Sequence, residues 1–489
     1  MANENVTNEN TPKENTAGKN VVKEIFSKVI SFFKSQKLRD FFLGRYYPVF
    51  VVAMTFLSHI TSFEWFFCAI ILISAFYALL AYDSMVPLIT PACCLAMHIA
   101  RVNAAVNPAS PDYYFSGAGL FASIPMIALI VIAFGAFFFL RWKKGRIKFR
   151  KLPLLLPALL LSLAFLLNGV FAEGYTVKNL AIGAFEVLTV FFFFYVFYIG
   201  LSGENYADLI ERFCFISALL ALLISAEIGW LYLTDEFILA SGSIDKHYIV
   251  FGWGVSNTAG SMLGVLVPVC FLGLMKAKKH AWMYLAAASI AYVSSIFTLS
   301  RNALLIVTGT YIVSIGVAMF FGNFKRFARI AFPILVAAVV ILVVLFWDEI
   351  KVVFADYFNK GMSDNGRYSL WRMAIPAFLS APIFGVGLFG LEYSSAMTAI
   401  IPGMLHCTPL QLISTMGLFG LLSYGYYRVM TIIRVLRRPS LIKTMLGGAV
   451  LVILLGSLLD NFIFYMQQMI YPSIALALIY LADEEKEKA

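Results

Sequence analysis

Charge is scarce in this chain. Only 13% of its 489 residues are Asp, Glu, Lys or Arg, about half of the ~25% found in a soluble domain. With 61% hydrophobic residues and a mean hydropathy of +0.85, a water-soluble globule of ordinary type is excluded. Cysteines are few as well, and Cys68, Cys93, Cys94, Cys214, Cys270 and Cys407 include no C-x-x-C pair. Five of the six lie inside apolar runs, so neither a disulfide framework nor a zinc site is indicated. No Walker A lysine motif occurs, which argues against an ATP-driven pump. The aspartates are all isolated, with no D-x-D or D-x-x-D pair to hold a hard divalent cation and a nucleotide-sugar. A cleavable signal pattern is missing too. The first 20 residues are polar and rich in Asn and Glu, leaving the first span to act as the insertion signal. Strict apolar/polar alternation is absent, which excludes a β-barrel.

What the chain has instead is apolar runs. At ~20 residues per crossing, they fall near 46–62, 64–81, 86–103, 118–140, 153–172, 179–201, 208–233, 250–275, 281–299, 301–322, 328–347, 408–430, 444–462 and 465–482. The third is short and interrupted by Pro91, His98 and Arg101. Irregular backbone cannot face lipid, so these runs are expected to be helices. The expected fold is all-α, a polytopic transmembrane bundle of about 12–14 spans with one long extracytoplasmic loop. Residues 1–20 read as a disordered tail. Residues 21–45 read as a basic amphipathic helix on the inner leaflet, with Val22, Ile25, Phe26, Val29, Ile30 and Phe33 at helical spacing. Spans one to eleven occupy 46–347, the long loop 348–407, the last three spans 408–482, and a short cytoplasmic tail 483–489.

The net charge of +10 does not signal nucleic acid, because the basic residues cluster beside the spans. Alternating crossings from an inner N-terminus put 29 of the 37 Lys and Arg residues in inner segments. That separation follows the positive-inside rule and assigns both termini to the cytoplasm of a multi-pass protein of the cell membrane. Residues 348–407 then lie outside. A loop of that length in a helical bundle is far beyond the usual ~2–8 residues and points to function.

Within the outer segments a few residues stand apart. Arg301 follows Ser300 at the outer mouth of a span, on the side that the charge rule depletes of arginine. A guanidinium there either snorkels or meets an anion, and its planar fork suits phosphate oxygens. Arg367 and Arg372 flank Trp371 in Gly366-Arg-Tyr-Ser-Leu-Trp-Arg372. They read either as solvated loop charge or, with Arg301, as a pyrophosphate clamp beside an aromatic that stacks on a sugar ring. His406 closes the long loop, where an imidazole can accept a proton from an attacking hydroxyl. His247, on the previous outer loop, is its nearest rival. Asn257 opens a span on the same side and is read either as a ligand for sugar hydroxyls or as a helix cap. Glu186, Glu227 and Asp460 are scattered intramembrane acids without repeated pairing. Gly385-Val-Gly387-Leu-Phe-Gly390 matches G-x-G-x-x-G by letter, but no strand–loop–helix unit surrounds it. Its glycines are expected to allow a tight, close-packed turn.

Four short pieces occur in order: Gly254-Val-Ser-Asn257; Leu299-Ser-Arg301; Gly366-Arg-Tyr-Ser-Leu-Trp371 with Pro382-Ile-Phe-Gly-Val-Gly387; and His406 ahead of Gly417-Leu-Phe-Gly420. In these the chain resembles the O-antigen ligase and O-antigen polymerase superfamily of membrane glycosyltransferases. The resemblance covers about residues 250–430; the family's histidine is commonly followed by Asn or Ser, whereas Cys407 follows here. It implies a metal-independent enzyme without cofactor, acting in surface polysaccharide biosynthesis in the cell envelope. Its donor would be a glycan on undecaprenyl pyrophosphate, and its acceptor the hydroxyl of another glycan or lipid. Arg301 and Arg367 would hold the pyrophosphate, and His406 would orient or deprotonate the acceptor. The chief rival reading is a polysaccharide transporter or lipid-linked oligosaccharide flippase. That would be expected to show two related halves, and no internal repeat is evident. A scaffold without enzymatic role would need none of the outer arginines.

Overall fold

Among its described residues the computed structural model is all-α apart from one hairpin of two two-residue strands. It describes residues 35–61, 63–94, 117–145, 147, 152–187, 191–234, 249–251, 254–277, 279–353, 366–391 and 404–488. The tail at 1–20, most of the amphipathic segment and the end of the third predicted span lie outside the described residues, as does His247.

Residues up to Tyr47 form a unit of their own. Its helix α1 (Gln36–Leu43) starts where the Ser35 side chain accepts the Leu38 N–H at 3.3 Å, satisfying one of the orphan donors of a first turn. The rings of Phe41, Phe42 and Tyr47 pack together with centroids 4.9–5.8 Å apart.

The second unit, Pro48–Ala489, holds the remaining elements, apart from the first two residues of the helix that begins at Tyr46. The chain runs through α2 (Tyr46–Thr61), α3 (Glu64–Tyr82), α4 (Gly117–Lys143), α5 (Leu155–Leu166), α6 (Val177–Val187), α7 (Phe193–Leu201) and α8 (Tyr206–Thr234). A hairpin of β1 (Val250–Phe251) and β2 (Gly254–Val255), paired antiparallel, leads into α9 (Ser256–Lys276). Then come α10 (Ala281–Phe297), α11 (Arg301–Phe320), α12 (Lys325–Leu345), α13 (Trp347–Val353) and α14 (Arg367–Ser380). The chain ends with α15 (Thr408–Thr415), α16 (Gly417–Leu436), α17 (Leu441–Gly456) and α18 (Met466–Lys488).

Among the described residues, five helices are individually long and apolar enough to cross a membrane: α3, α8, α9, α11 and α12. They differ sharply in burial. The apolar window of α9 is wholly buried, packed by α8, α10, α11 and α17, whereas only 6% of that of α12 is buried. A helix apolar on all faces must be covered by protein or by lipid. We therefore take α9 as the centre of the bundle and α12 as a lipid-facing helix.

Several other predicted spans are helical but shorter or broken. α5, α10 and α17 have 12, 17 and 16 residues. The predicted span 179–201 holds α6 and α7, with residues 188–190 between them outside the described residues, and the span 408–430 is split at Met416 between α15 and α16. Broken helices are tolerated at membrane depth where neighbouring protein satisfies the freed backbone groups, and at Met416 that neighbour is visible. Residues 382–387 of the long loop dock there. Val386 N donates to Ser414 O at 3.0 Å, Gly387 N to Thr415 O at 2.9 Å and Leu418 N to Pro382 O at 2.8 Å.

On its other side the same loop meets the turn between α5 and α6. Gly169 N donates to Phe384 O at 2.8 Å, while the side-chain oxygens of Asn168 and Asn179 accept from Leu388 N and Phe389 N, both at 2.9 Å. This is the close-packed turn expected of the G-x-G-x-x-G letters. Gly387 has φ +90°, and a Cβ there would lie 2.9 Å from the Asn179 amide. Part of the long loop is thus built into the bundle, pinned between two helix breaks.

Candidate active site

The site is assembled from five segments that are separate in sequence. The first is the hairpin–α9 junction, which carries Asn257. One turn further along, Gly260 has no room for a side chain: a Cβ would lie 2.5 Å from Ala303 Cβ and 2.8 Å from Thr298 Oγ1. Small residues let helix backbones approach. Here the approach sets the start of α9 against the start of α11.

At the start of α11, Ser300 is the N-cap and its Oγ accepts the Ala303 N–H at 3.2 Å. The same hydroxyl donates to Asn257 Oδ1 at 2.7 Å. Asn257 Nδ2 in turn donates to Asp460 Oδ2 at 3.1 Å. Arg301, the first residue of α11, is half-buried directly beside this link.

Asp460 lies beyond the end of α17 and is 2% exposed. A buried carboxylate is costly unless its oxygens are paired, and these oxygens are. Besides Asn257, the Asn461 N–H donates to Oδ1 at 2.8 Å, and Oδ1 stands 3.1 Å from His406 Nδ1. The Asp460 backbone carbonyl accepts from Thr408 Oγ1 at 3.1 Å, which ties the aspartate to the first turn of α15.

His406 has φ +51°, in the left-handed region that a side-chain-bearing residue rarely adopts. Its surroundings enforce that turn. Leu405 N donates to Gln411 Oε1 at 2.7 Å, Trp371 Nε1 donates to Leu405 O at 2.9 Å, and Leu405 is buried with Ala374 and Leu391. Gln411 Oε1 also accepts from Asn461 Nδ2 at 3.2 Å, closing the ring of contacts back onto the Asp460 segment. Backbone strain held this way clusters at functional sites. The imidazole itself is 39% exposed in its side chain, against 3% for Asp460. A carboxylate at Nδ1 selects the tautomer with its proton on Nδ1, leaving the Nε2 lone pair as the basic nitrogen.

Arg367 opens α14 and is half-buried. Its charge reaches Cys407. Burial raises the Cys407 thiol above the ordinary range, against a backbone hydrogen bond from Leu410 and the Arg367 guanidinium, which both lower it. Arg372 is exposed on α14, and among the described residues no hydrogen bond or ion pair joins it to the cluster.

The structure therefore joins Asn257, Trp371 and His406 through direct hydrogen bonds and places Arg367 within electrostatic reach. Arg301 sits one residue from the Ser300 link. Asp460 was read from sequence as a scattered acid; it is the hub. The visible hint is that the polar pair Asp460-Asn461 interrupts an otherwise apolar run. Ser300 is legible only as the middle of the Leu299-Ser-Arg301 piece, and Gln411 carries no signal beyond being a polar residue in a short helix. Among the described residues, no three His, Cys, Asp or Glu side chains are grouped to hold a metal ion.

Residues 286–425 match the model of a protein family described as O-antigen ligase. The matched segment contains Arg301, Arg367, Trp371, His406 and the Gly417-Leu-Phe-Gly420 piece, while Asn257 and Asp460 fall on either side of it. The match supports the O-antigen ligase superfamily and, with the apolar helices, a multi-pass membrane protein. No curated protein matches the chain.

Proposed function

We propose that this chain transfers a glycan from undecaprenyl pyrophosphate to an acceptor hydroxyl, at the outer face of the cytoplasmic membrane, in surface polysaccharide assembly. The observation that carries the proposal is the pair His406–Asp460: a partly exposed imidazole whose Nδ1 lies 3.1 Å from a buried carboxylate oxygen.

In this reading Asp460 holds the Nδ1 proton and His406 Nε2 takes the proton of the acceptor hydroxyl. The acceptor oxygen attacks the anomeric carbon. The anomeric C–O bond breaks, and its electron pair leaves on the pyrophosphate. Fixed positive charge stabilises a leaving group where negative charge develops, and that role falls to Arg301, which follows the Ser300 link, and Arg367, whose charge reaches Cys407. Arginine supplies that charge without a divalent cation, in keeping with a sequence that lacks paired aspartates. Trp371 and the exposed Arg372 would contact the glycan. The outer location rests on the distribution of Lys and Arg between the loops.

Ligase and polymerase differ in what the acceptor is. The glycan made by cells lacking the protein distinguishes them. Single repeat units joined to their final acceptor indicate a polymerase, and long chains stranded on the lipid carrier indicate a ligase. Unaltered surface glycan would reject both.

A further inference from the structure

We propose that Asn257 is a positioning residue that couples the donor-side helix α11 to the acceptor-side pair His406–Asp460; this rests on the transferase reading above. The basis is the direction of the hydrogen bonds. An ionised Asp460 can only accept, so the Asn257 NH2 must face it, and Ser300 Oγ, which accepts the Ala303 N–H, gives its own proton to Asn257 Oδ1 at 2.7 Å. That fixes which way the Asn257 amide faces: its oxygen is turned to Ser300 and its NH2 to Asp460 Oδ2, at 3.1 Å. Asp460 then receives one donor on Oδ2 from Asn257 and one on Oδ1 from the Asn461 backbone, which leaves Oδ1 aligned on His406 Nδ1.

The chain of contacts thus runs from the cap of the helix that begins with Arg301 to the general base. Every link is a single directional bond. Both polar ends of Asn257 are engaged within the protein, so the residue acts through Asp460 rather than on the sugar. Groups that orient a reacting side chain in this way contribute to the rate while leaving substrate affinity nearly unchanged.

Asn257→Asp is the informative substitution. It replaces the donor with a second carboxylate about 3 Å from Asp460, and like charges at that distance do not both ionise in a buried site. One proton is retained to higher pH, so the acidic limb of the pH–rate profile moves upward. Asn257→Ala removes the donor and leaves the pH of that limb less affected. Ser300→Ala removes the group that aims the amide, whereas Ser300→Thr keeps a hydroxyl.

The test uses the purified full-length chain in detergent, with lipid-linked glycan extracted from cells lacking the protein, and reads the release of polyprenyl pyrophosphate. Asn257→Ala is expected to lower kcat about tenfold or more, with donor KM within about threefold. Asn257→Asp should shift the acidic limb upward by about one pH unit or more. Ser300→Thr should retain most of the activity that Ser300→Ala loses. A tenfold rise in donor KM with unchanged kcat in Asn257→Ala would instead make Asn257 a sugar contact and overturn the inference. An unshifted pH profile in an active Asn257→Asp would overturn it as well. His406→Ala and Asp460→Ala are run alongside. If those two remain active, the transferase site itself is misassigned; if they are inactive while the Asn257 variants behave as wild type, only the coupling fails.

Discussion

His406 and Asp460 meet at 3.1 Å across 54 positions of sequence, one at the end of the long loop and the other beyond the end of α17. The contact is a hydrogen bond from an imidazole in a left-handed turn to a carboxylate that the fold has already buried and supplied with two other N–H donors. Four consequences can be measured.

Asp460→Asn keeps the size of the side chain but presents Oδ1 or an amide N–H to His406 without a charge. The imidazole loses its preference for the Nδ1 tautomer. Transfer should fall by about two to four orders of magnitude, with the protein still eluting as a single species in detergent. Glycan release by the variant at above about a tenth of the wild-type rate would speak against the pair.

Trp371→Phe deletes the N–H that donates to Leu405 O at 2.9 Å while keeping an aromatic ring beside Tyr368. A lost hydrogen bond costs about 0.5–1.5 kcal/mol, and here the cost falls on the turn that presents His406. The expected result is a lowered rate with a small drop in melting temperature. Trp371→Leu should lose more, having also lost the ring.

Gly387→Ala tests the docking of the loop between the helix breaks. The position has φ +90°, and the new methyl would stand 2.9 Å from the Asn179 side chain. A left-handed conformation alone costs an L-residue about 1–2 kcal/mol, and the contact adds to it. The variant should melt at lower temperature and expose the Leu388–Leu391 backbone to faster hydrogen exchange. Wild-type stability would mean that the loop does not depend on this packing.

Cys407 is a built-in reporter of the site, since the other five cysteines are buried. Burial raises its thiol pKa, so the thiolate is a minor species near neutral pH and gains population as pH rises towards and past the ordinary thiol range. A membrane-impermeant maleimide added to intact cells should label it faster at pH 8.5 than at pH 7. Arg367 lowers that pKa, so Arg367→Ala should slow labelling at a given pH. Labelling only after the membrane is permeabilised would place the site on the opposite face from the one assigned by charge.

Much of this architecture is legible in the residues, because composition and periodicity are local properties. Where they are described, the apolar runs become helices, and the glycines around Gly387 become a tight turn. The four short pieces around Asn257, Arg301, Trp371 and His406 lie in one cluster. What the sequence hides is non-local. Length counting treats each apolar run as one straight crossing, so it does not see that the run 408–430 breaks at Met416 to receive the loop at 382–387. Asp460 looks like any acid interrupting an apolar segment, and its partner is revealed only when the α17–α18 connection packs against the start of α15. Trp371 shows the same limit. Its ring suggested a sugar platform, and the structure adds a backbone anchor at the indole nitrogen that no spacing rule contains.

The most direct measurement is release of polyprenyl pyrophosphate from lipid-linked glycan by the purified protein, compared among wild type, His406→Ala, Arg301→Ala and Arg367→Ala. The account predicts release by the wild type, with each substitution abolishing it while the protein remains folded and membrane-inserted. Full release by all three variants would contradict it.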